Sequence, residues 1–105
     1  MTYRVVLQDR AQKDIDDALA YIAAHDSTEA ALKWYEGLID AMESLATMPT
    51  RCRLAPEASR ATGEVRQLIY HSHRILFDIE ARAVRILHIR HGGRLPAQAE
   101  DLNAD

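Results

Sequence analysis

The sequence predicts a two-layer α+β domain, with an antiparallel helix hairpin packed on one face of a small, mainly antiparallel four-stranded sheet. Three observations predict this class: an alternating apolar segment near the start, two segments with apolar residues three and four apart, and three short β-type segments towards the end. The element order is therefore β-α-α-β-β-β. The 105 residues suffice for one domain, which we place at residues 1–94, and we expect residues 95–105 to form a frayed acidic tail.

The first strand is predicted over residues 2–8, because Tyr3, Val5 and Leu7 alternate onto one face. Asp9 is the expected N-cap of a helix over residues 10–25. Asp26, with Glu29 three residues later, resembles a capping box that starts a second helix over residues 27–46. The short connection makes the two helices antiparallel neighbours.

A proline at position 49 ends the second helix, and residues 49–63 are predicted to form a loop. Residues 65–70, 74–79 and 84–89 are predicted strands, joined by tight turns at 71–73 and 80–82. These strands are apolar on both faces, so we expect the tail or a partner chain to cover the second face. The residues predicted to form the core are Tyr3, Ile15, Leu19, Ile22, Trp34, Leu38, Leu45, Phe77 and Leu87.

Charge is distributed unevenly along the chain. Residues 1–50 carry four basic and nine acidic groups, whereas residues 51–94 carry nine arginines, no lysine and four acidic groups. Arginine pairs with carboxylates and phosphates through two parallel hydrogen bonds. Two interpretations stay open: a solvated surface with salt bridges to the acidic helices, or a binding face for an acidic partner or nucleic acid. The overall charge of −3 argues against direct nucleic-acid binding.

Other classes of site find little support in the sequence. Cys52 is the single cysteine, which excludes an internal disulfide and a multi-cysteine zinc site. His71 and His73 fall in a predicted turn, and His88 and His91 are three apart on a strand, so we predict no metal site and no cofactor. The sequence has no apolar run of about 20 residues and starts without a signal-peptide pattern. We therefore expect a cytoplasmic protein that does not enter the membrane.

Several short motifs, in this order and spacing, resemble the RelE/ParE superfamily of bacterial toxins. These proteins are the toxin halves of type II toxin–antitoxin, or plasmid-stabilisation, modules. The resemblance covers about residues 3–94 and implies the same β-α-α-β-β-β fold. The motifs are Tyr3, Ala11-x-x-Asp14-Ile15, Tyr21-Ile22, Trp34 with Leu38, Leu45-x-x-x-Pro49, Arg66, HRILFDI at 73–79 and VRILHIRHGGR at 84–94.

The superfamily implies two alternative activities. RelE-like members resemble ribosome-dependent mRNA endonucleases, which use two lysines, two arginines and a C-terminal tyrosine. Arg74 and Arg94 fit the arginine positions, but the lysine positions fall on Val65 and Gln67, and the tyrosine position falls near Glu100. Cleavage needs a general base and acid as well as positive charge. The match is therefore closer to ParE-like members, which inhibit DNA gyrase and need no catalysis of their own.

The resemblance leads to one main hypothesis and two alternatives. The main hypothesis is a ParE-like toxin that arrests growth and is neutralised by a cognate antitoxin, a small ribbon-helix-helix protein with an acidic C-terminal tail. The alternatives are a ribonuclease with Arg74, Arg94 and His91 as catalytic residues, and an inactive toxin fold that serves as a binding module. A structural role for Arg74 is an ion pair with Asp78. The residues predicted to bind the antitoxin or target are Arg66, Arg74, Arg85, Arg90, His91 and Arg94.

Overall fold

A computed structural model of the chain describes residues 2–59 and 64–92. The predicted element order and the α+β class are confirmed. The sheet has the strand order β1-β4-β3-β2, with β1 parallel to β4 and the other pairs antiparallel. The elements are β1 (Arg4–Leu7), α1 (Asp9–His25), α2 (Thr28–Glu43), β2 (Arg66–Tyr70), β3 (His73–Glu80) and β4 (Ala83–His91), with 3₁₀ turns at Ser44–Ala46, Pro49–Arg51 and Pro56–Ser59.

Both predicted helix caps were wrong by one residue. Gln8 is the N-cap of α1, and Asp9 lies in the first turn, where the helix dipole favours its charge. Ser27 is the N-cap of α2, and its hydroxyl accepts a hydrogen bond from the Ala30 amide at 3.0 Å. Asp26 is instead the C-cap of α1, where its amide donates to the Ile22 carbonyl at 2.8 Å.

The main core lies between the two helices and one face of the sheet, which we call the helix face. Phe77 at the centre of β3 is completely buried. It belongs to a cluster with residues of both helices and of the turn after α2, namely Ile15, Leu38 and Leu45, which are equally inaccessible. Partly buried Tyr3, Leu19 and Trp34 pack against this cluster, whereas Ile22, also predicted for the core, is half-buried and does not belong to it.

A second, smaller cluster lies on the opposite face of the sheet, which we call the far face. Its members are Ala55, Val65, Leu76 and Leu87. Ala55 reaches this face because residues 53–55 run beside the start of β2: the Ala55 amide donates to the Val65 carbonyl at 2.8 Å, and the Gln67 amide donates to the Arg53 carbonyl at 3.0 Å.

The predicted loop therefore covers part of the far face, and the expectation that this cover needs the tail or a partner was wrong for this part. The strand bridge between Leu54 and Arg66 involves one residue from each segment. A contact this short produces no alternation of apolar residues, so the sequence could not predict it. Residues 95–105 and Arg94 lie outside the described residues. No helix in the described parts of the chain is long and apolar enough to cross a membrane.

Candidate binding surface at the β2–β3 turn

Arg74, a candidate for both catalysis and binding, is buried in an ion pair. Its guanidinium donates to both carboxylate oxygens of Glu57, at 2.9 and 2.7 Å, and to the Gln67 side-chain oxygen at 3.1 Å. Glu57 is completely buried and Arg74 is 9% exposed. Burying a carboxylate is costly unless its charge is paired and its oxygens are hydrogen-bonded, and this arrangement meets both conditions. The charge of Arg74 is therefore already neutralised within the fold.

The predicted ion pair between Arg74 and Asp78 was wrong. The two residues are four apart on one strand, or about 13 Å at the usual strand rise. Asp78 instead faces Arg85 across the β3–β4 pair and accepts two hydrogen bonds from it, at 2.8 and 2.6 Å. The hydrogen bond to Asp78 raises the pKa of Arg85, against the opposing effect of burial. Arg85 is thus also neutralised within the fold.

Arg66 of β2 bonds to the main chain of residues 50–52 in the segment between α2 and β2. One of its guanidinium nitrogens donates to the Cys52 carbonyl at 2.6 Å and lies 3.5 Å from the Thr50 carbonyl. Arg51 acts similarly within its own turn, where it donates to the Thr47 carbonyl at 2.7 Å. These arginines satisfy main-chain carbonyls that regular secondary structure leaves unpaired.

His88 and Asp14 form a structural contact between β4 and α1. The Asp14 carboxylate contacts the ring Nδ1 of buried His88 and accepts a hydrogen bond from the Ile89 amide at 2.9 Å. The pairing of β1 with β4 ends at Ile86, so Asp14 satisfies the β4 edge beyond the reach of β1. The carboxylate also accepts from Arg10 at 3.2 Å. In the sequence, Asp14 stands out only as part of the Ala11-x-x-Asp14-Ile15 motif, and the separation of 74 residues gave no signal of its contact with His88.

Three histidines gather where β2 turns into β3. The turn contains only His71 and Ser72, because His71 adopts a left-handed backbone conformation with φ of 51°. His73 therefore belongs to β3 and pairs with His91 of β4. The rings of these two residues have centroids 5.3 Å apart, and the His73 ring lies 5.2 Å from that of Trp34. His71 and His91 are exposed, so the cluster presents imidazoles to solvent.

Two cavities open on either side of this histidine cluster. The helix-side cavity has a volume of about 740 Å³ and includes Asp14 and Asp17 in its lining. The far-face cavity has a volume of about 520 Å³, and its lining contains no acidic residue among the described parts of the chain. Both are lined by residues 71–73 and His91. The far-face cavity is otherwise lined by Arg53, Pro56, Gln67, Ile69, Arg74 and Gly92.

The predicted binding residues thus separate into different environments. Arg66, Arg74 and Arg85 are engaged in contacts within the fold, and half-buried Arg90 lies 3.3 Å from the His88 ring. His91 lies at the rim of both cavities, and Arg94 is outside the described residues. Sequence reasoning missed Arg53 and His71 as parts of one surface. Both lie in segments predicted as loop or turn, where alternation gives no direction to a side chain.

The fold is that of a class of small two-layer α+β proteins, and solved structures share it. One is described as the chromosomal ParDE TA system from P. aeruginosa; its chain is 17% identical to this one, with a TM-score of 0.71, over 86% of this chain and 96% of that chain. Among curated proteins, none matches the sequence. The family model described as "ParE toxin of type II toxin-antitoxin system, parDE" matches residues 5–96. The chain belongs to this family, and it is a ParE-type toxin.

Proposed function

We propose that this toxin arrests growth by binding and inhibiting DNA gyrase in the cytoplasm, without catalysing a reaction of its own. A cognate antitoxin keeps it silent until the antitoxin is lost. Family membership supports the toxin role. The burial of Arg74 in an ion pair with Glu57 supports a binding mechanism over a catalytic one.

The two-point ion pair between Arg74 and Glu57 is the observation that carries this choice. A ribonuclease of this superfamily needs the arginine to stabilise charge that develops on the phosphate, and it needs groups that transfer protons. Arg74 is buried and already paired with a carboxylate. Val65 and Gln67 occupy the positions of the nuclease lysines; both are buried, and neither carries a group that ionises near neutral pH.

The antitoxin that we propose is a small ribbon-helix-helix protein with an acidic C-terminal tail. The far-face cavity supports an acidic partner, because exposed Arg53 and three histidines line it, whereas the charge of its second arginine, Arg74, is paired with Glu57. A small ribbon-helix-helix reading frame next to the gene would encode this partner. We expect no direct binding of the toxin itself to nucleic acid.

Supercoiling of relaxed plasmid by purified gyrase tests the proposal directly. The antitoxin-free chain is expected to inhibit supercoiling, and the antitoxin is expected to restore it when added first. The same preparation inactivated by heat is the control for carried-over contaminants. Normal supercoiling at a large molar excess of folded toxin would contradict the gyrase target.

The histidine cluster is the one observation that favours the second candidate, a ribosome-dependent mRNA endonuclease. Histidine titrates near neutral pH and serves as base or acid in many enzymes, and His91 is exposed beside His73. Under this alternative, Arg74→Ala, Arg94→Ala and His91→Ala each abolish growth arrest and the cutting of mRNA on translating ribosomes. Cutting that persists in the triple variant rules it out. A chain that neither inhibits gyrase nor cuts mRNA is an inactive binding module.

A further inference from the structure

Two histidines face each other across the antiparallel pair of β3 and β4. His73 is directly opposite His91 in the register of these strands, so the two side chains project from the same face of the sheet, with Cβ atoms about 5 Å apart. The expectation of no metal site rested partly on placing His73 in a turn. The structure places it in β3, and the strand pairing therefore holds the two histidines side by side.

The separation of the two rings suits a shared metal ion. Zinc binds an imidazole nitrogen at about 2.0 Å, which places the centroid of the ring about 3.2 Å from the metal. Two imidazoles on one tetrahedral ion then have centroids about 5.2 Å apart, and the centroids of His73 and His91 are 5.3 Å apart. Because the χ2 torsion of histidine is broad, each ring can turn a nitrogen towards a common ion without movement of the main chain.

The charges around the helix-side cavity favour a cation over an anion. Both histidines line this cavity, to which α1 contributes Asp14 and Asp17. Among the described parts of the chain, no arginine or lysine lines it, whereas Arg53 and Arg74 line the far-face cavity. A cleft lined by charges of one sign attracts ions of the opposite sign. The exposed carboxylate of Asp17 therefore favours a metal ion at the imidazoles.

We propose that His73 and His91 bind one divalent transition-metal ion in the helix-side cavity, with water in the remaining coordination positions. Within residues 2–59 and 64–92, no three His, Cys, Asp or Glu side chains are grouped so as to hold a metal ion, so the protein supplies two ligands. Imidazole suits zinc, copper and nickel, whereas magnesium and calcium prefer oxygen ligands. With two protein ligands the ion is exchangeable and is not required for folding. The site depends on neither gyrase nor an antitoxin.

Trp34 makes this binding measurable. It is the single tryptophan, and its ring centroid lies 5.2 Å from that of His73. Because Cu²⁺ quenches the fluorescence of a nearby tryptophan, titration of the full-length protein with Cu²⁺ is expected to quench Trp34 until one ion per chain is bound, with a Kd below about 100 μM. Zn²⁺ has a closed d shell and does not quench, so an excess of Zn²⁺ is expected to restore the fluorescence. The same excess of Mg²⁺ is not.

Two variants each remove one proposed ligand. His73→Asn and His91→Asn are each expected to weaken Cu²⁺ binding at least about tenfold. His91 is exposed, so its replacement tests the site even if the replacement of half-buried His73 disturbs the fold, which circular dichroism verifies. The matched control is His25→Asn on α1, where the ring stacks on Tyr21 and does not line the cavity. This variant is expected to leave the Kd unchanged.

Several results overturn the proposal. These are fluorescence that Cu²⁺ leaves unchanged, quenching that rises without saturation, or quenching that is equally strong in the unmodified chain and in His91→Asn. A loss in His25→Asn as large as that in His91→Asn would place the ion elsewhere on the surface. Nuclear magnetic resonance with Zn²⁺ supplies a second readout, in which the imidazole signals of His73 and His91 are expected to shift and that of His25 is not. The titrations involve neither gyrase nor growth, so their failure is distinct from failure of the proposed function.

Discussion

Glu57 and Arg74 lie 17 residues apart and meet through two parallel hydrogen bonds in the interior of the protein. The pair joins the last 3₁₀ turn of the connecting segment, Pro56–Ser59, to the start of β3. It therefore holds this segment over the far face, where Ala55 packs against Leu76 and Leu87. In the same contact the pair removes the exposed positive charge that a nuclease site would use.

Replacing Glu57 by glutamine is expected to destabilise the fold strongly. The neutral amide leaves the buried guanidinium of Arg74 without a counter-charge, and breaking one partner of a buried pair costs about 3–5 kcal/mol. Urea unfolding followed by circular dichroism measures the change. Glu64→Gln is the matched control, because the Glu64 side chain is 71% exposed and 4.0 Å from Arg66. Equal stability of the two variants would show that the pair has no structural role.

Asp14→Asn is expected to destabilise the contact between α1 and β4. The carboxylate accepts hydrogen bonds from Arg10 and the Ile89 amide and contacts His88, and an amide group accepts at only one of its two heavy atoms. The loss of hydrogen bonds to a charged group costs about 1.5–3 kcal/mol. Asp17→Asn on the same helix is the control, since Asp17 is exposed. If the Ile89 amide exchanges faster in Asp14→Asn but not in Asp17→Asn, the destabilisation arises at the contact between α1 and β4.

Gly37→Ala is expected to destabilise the protein, although alanine favours a helix by about 1 kcal/mol over glycine. A Cβ at position 37 would overlap the hydroxyl of Tyr70, which donates to the Trp34 carbonyl at 2.7 Å. Overpacking of this kind costs about 1–3 kcal/mol. Tyr70→Phe removes the hydroxyl, so the double variant is expected to recover part of the loss. Thermal unfolding of both single variants and the double variant measures this coupling.

The fold was predictable from the sequence because each element has a strong local signal. Alternating apolar residues around Phe77 indicated a strand, and the spacing from Ile15 to Leu38 indicated two helices with one apolar face each. The helix starts were less predictable, because Asp26, Ser27 and Thr28 are all suitable capping residues and the choice depends on which main-chain groups the preceding helix already uses.

The candidate surface was far less predictable than the fold. Arg53, which is exposed and lines the far-face cavity, lies in a segment without periodicity, and the neutralisation of Arg74 depends on a glutamate in the same segment. Local patterns do not show which arginines meet carboxylates, since those contacts join residues far apart in the chain. The sequence thus indicated the positive charge of residues 51–94 but not its distribution between internal ion pairs and an open site.

Tyr70 is expected to make stability fall in alkaline solution. Burial, and then the charge of Asp40, raise the pKa of Tyr70 above its ordinary value of 10.0. A raised pKa means that the folded state holds the proton more tightly than the unfolded state. The resulting stabilisation is present in full below pH 10 and is lost as the pH rises above 10 through the pKa of the folded state. Unfolding free energies measured in urea between pH 8 and about 11 test this dependence.

The control for this pH dependence is a second tyrosine. Tyr21 is 64% exposed, so Tyr21→Phe is expected to leave the alkaline fall unchanged. Tyr70→Phe is expected to reduce that fall, because the titrating group is then absent from both the folded and the unfolded states. If the two variants lose stability equally between pH 10 and about 11, the alkaline transition arises elsewhere and Tyr70 has the same pKa in both states.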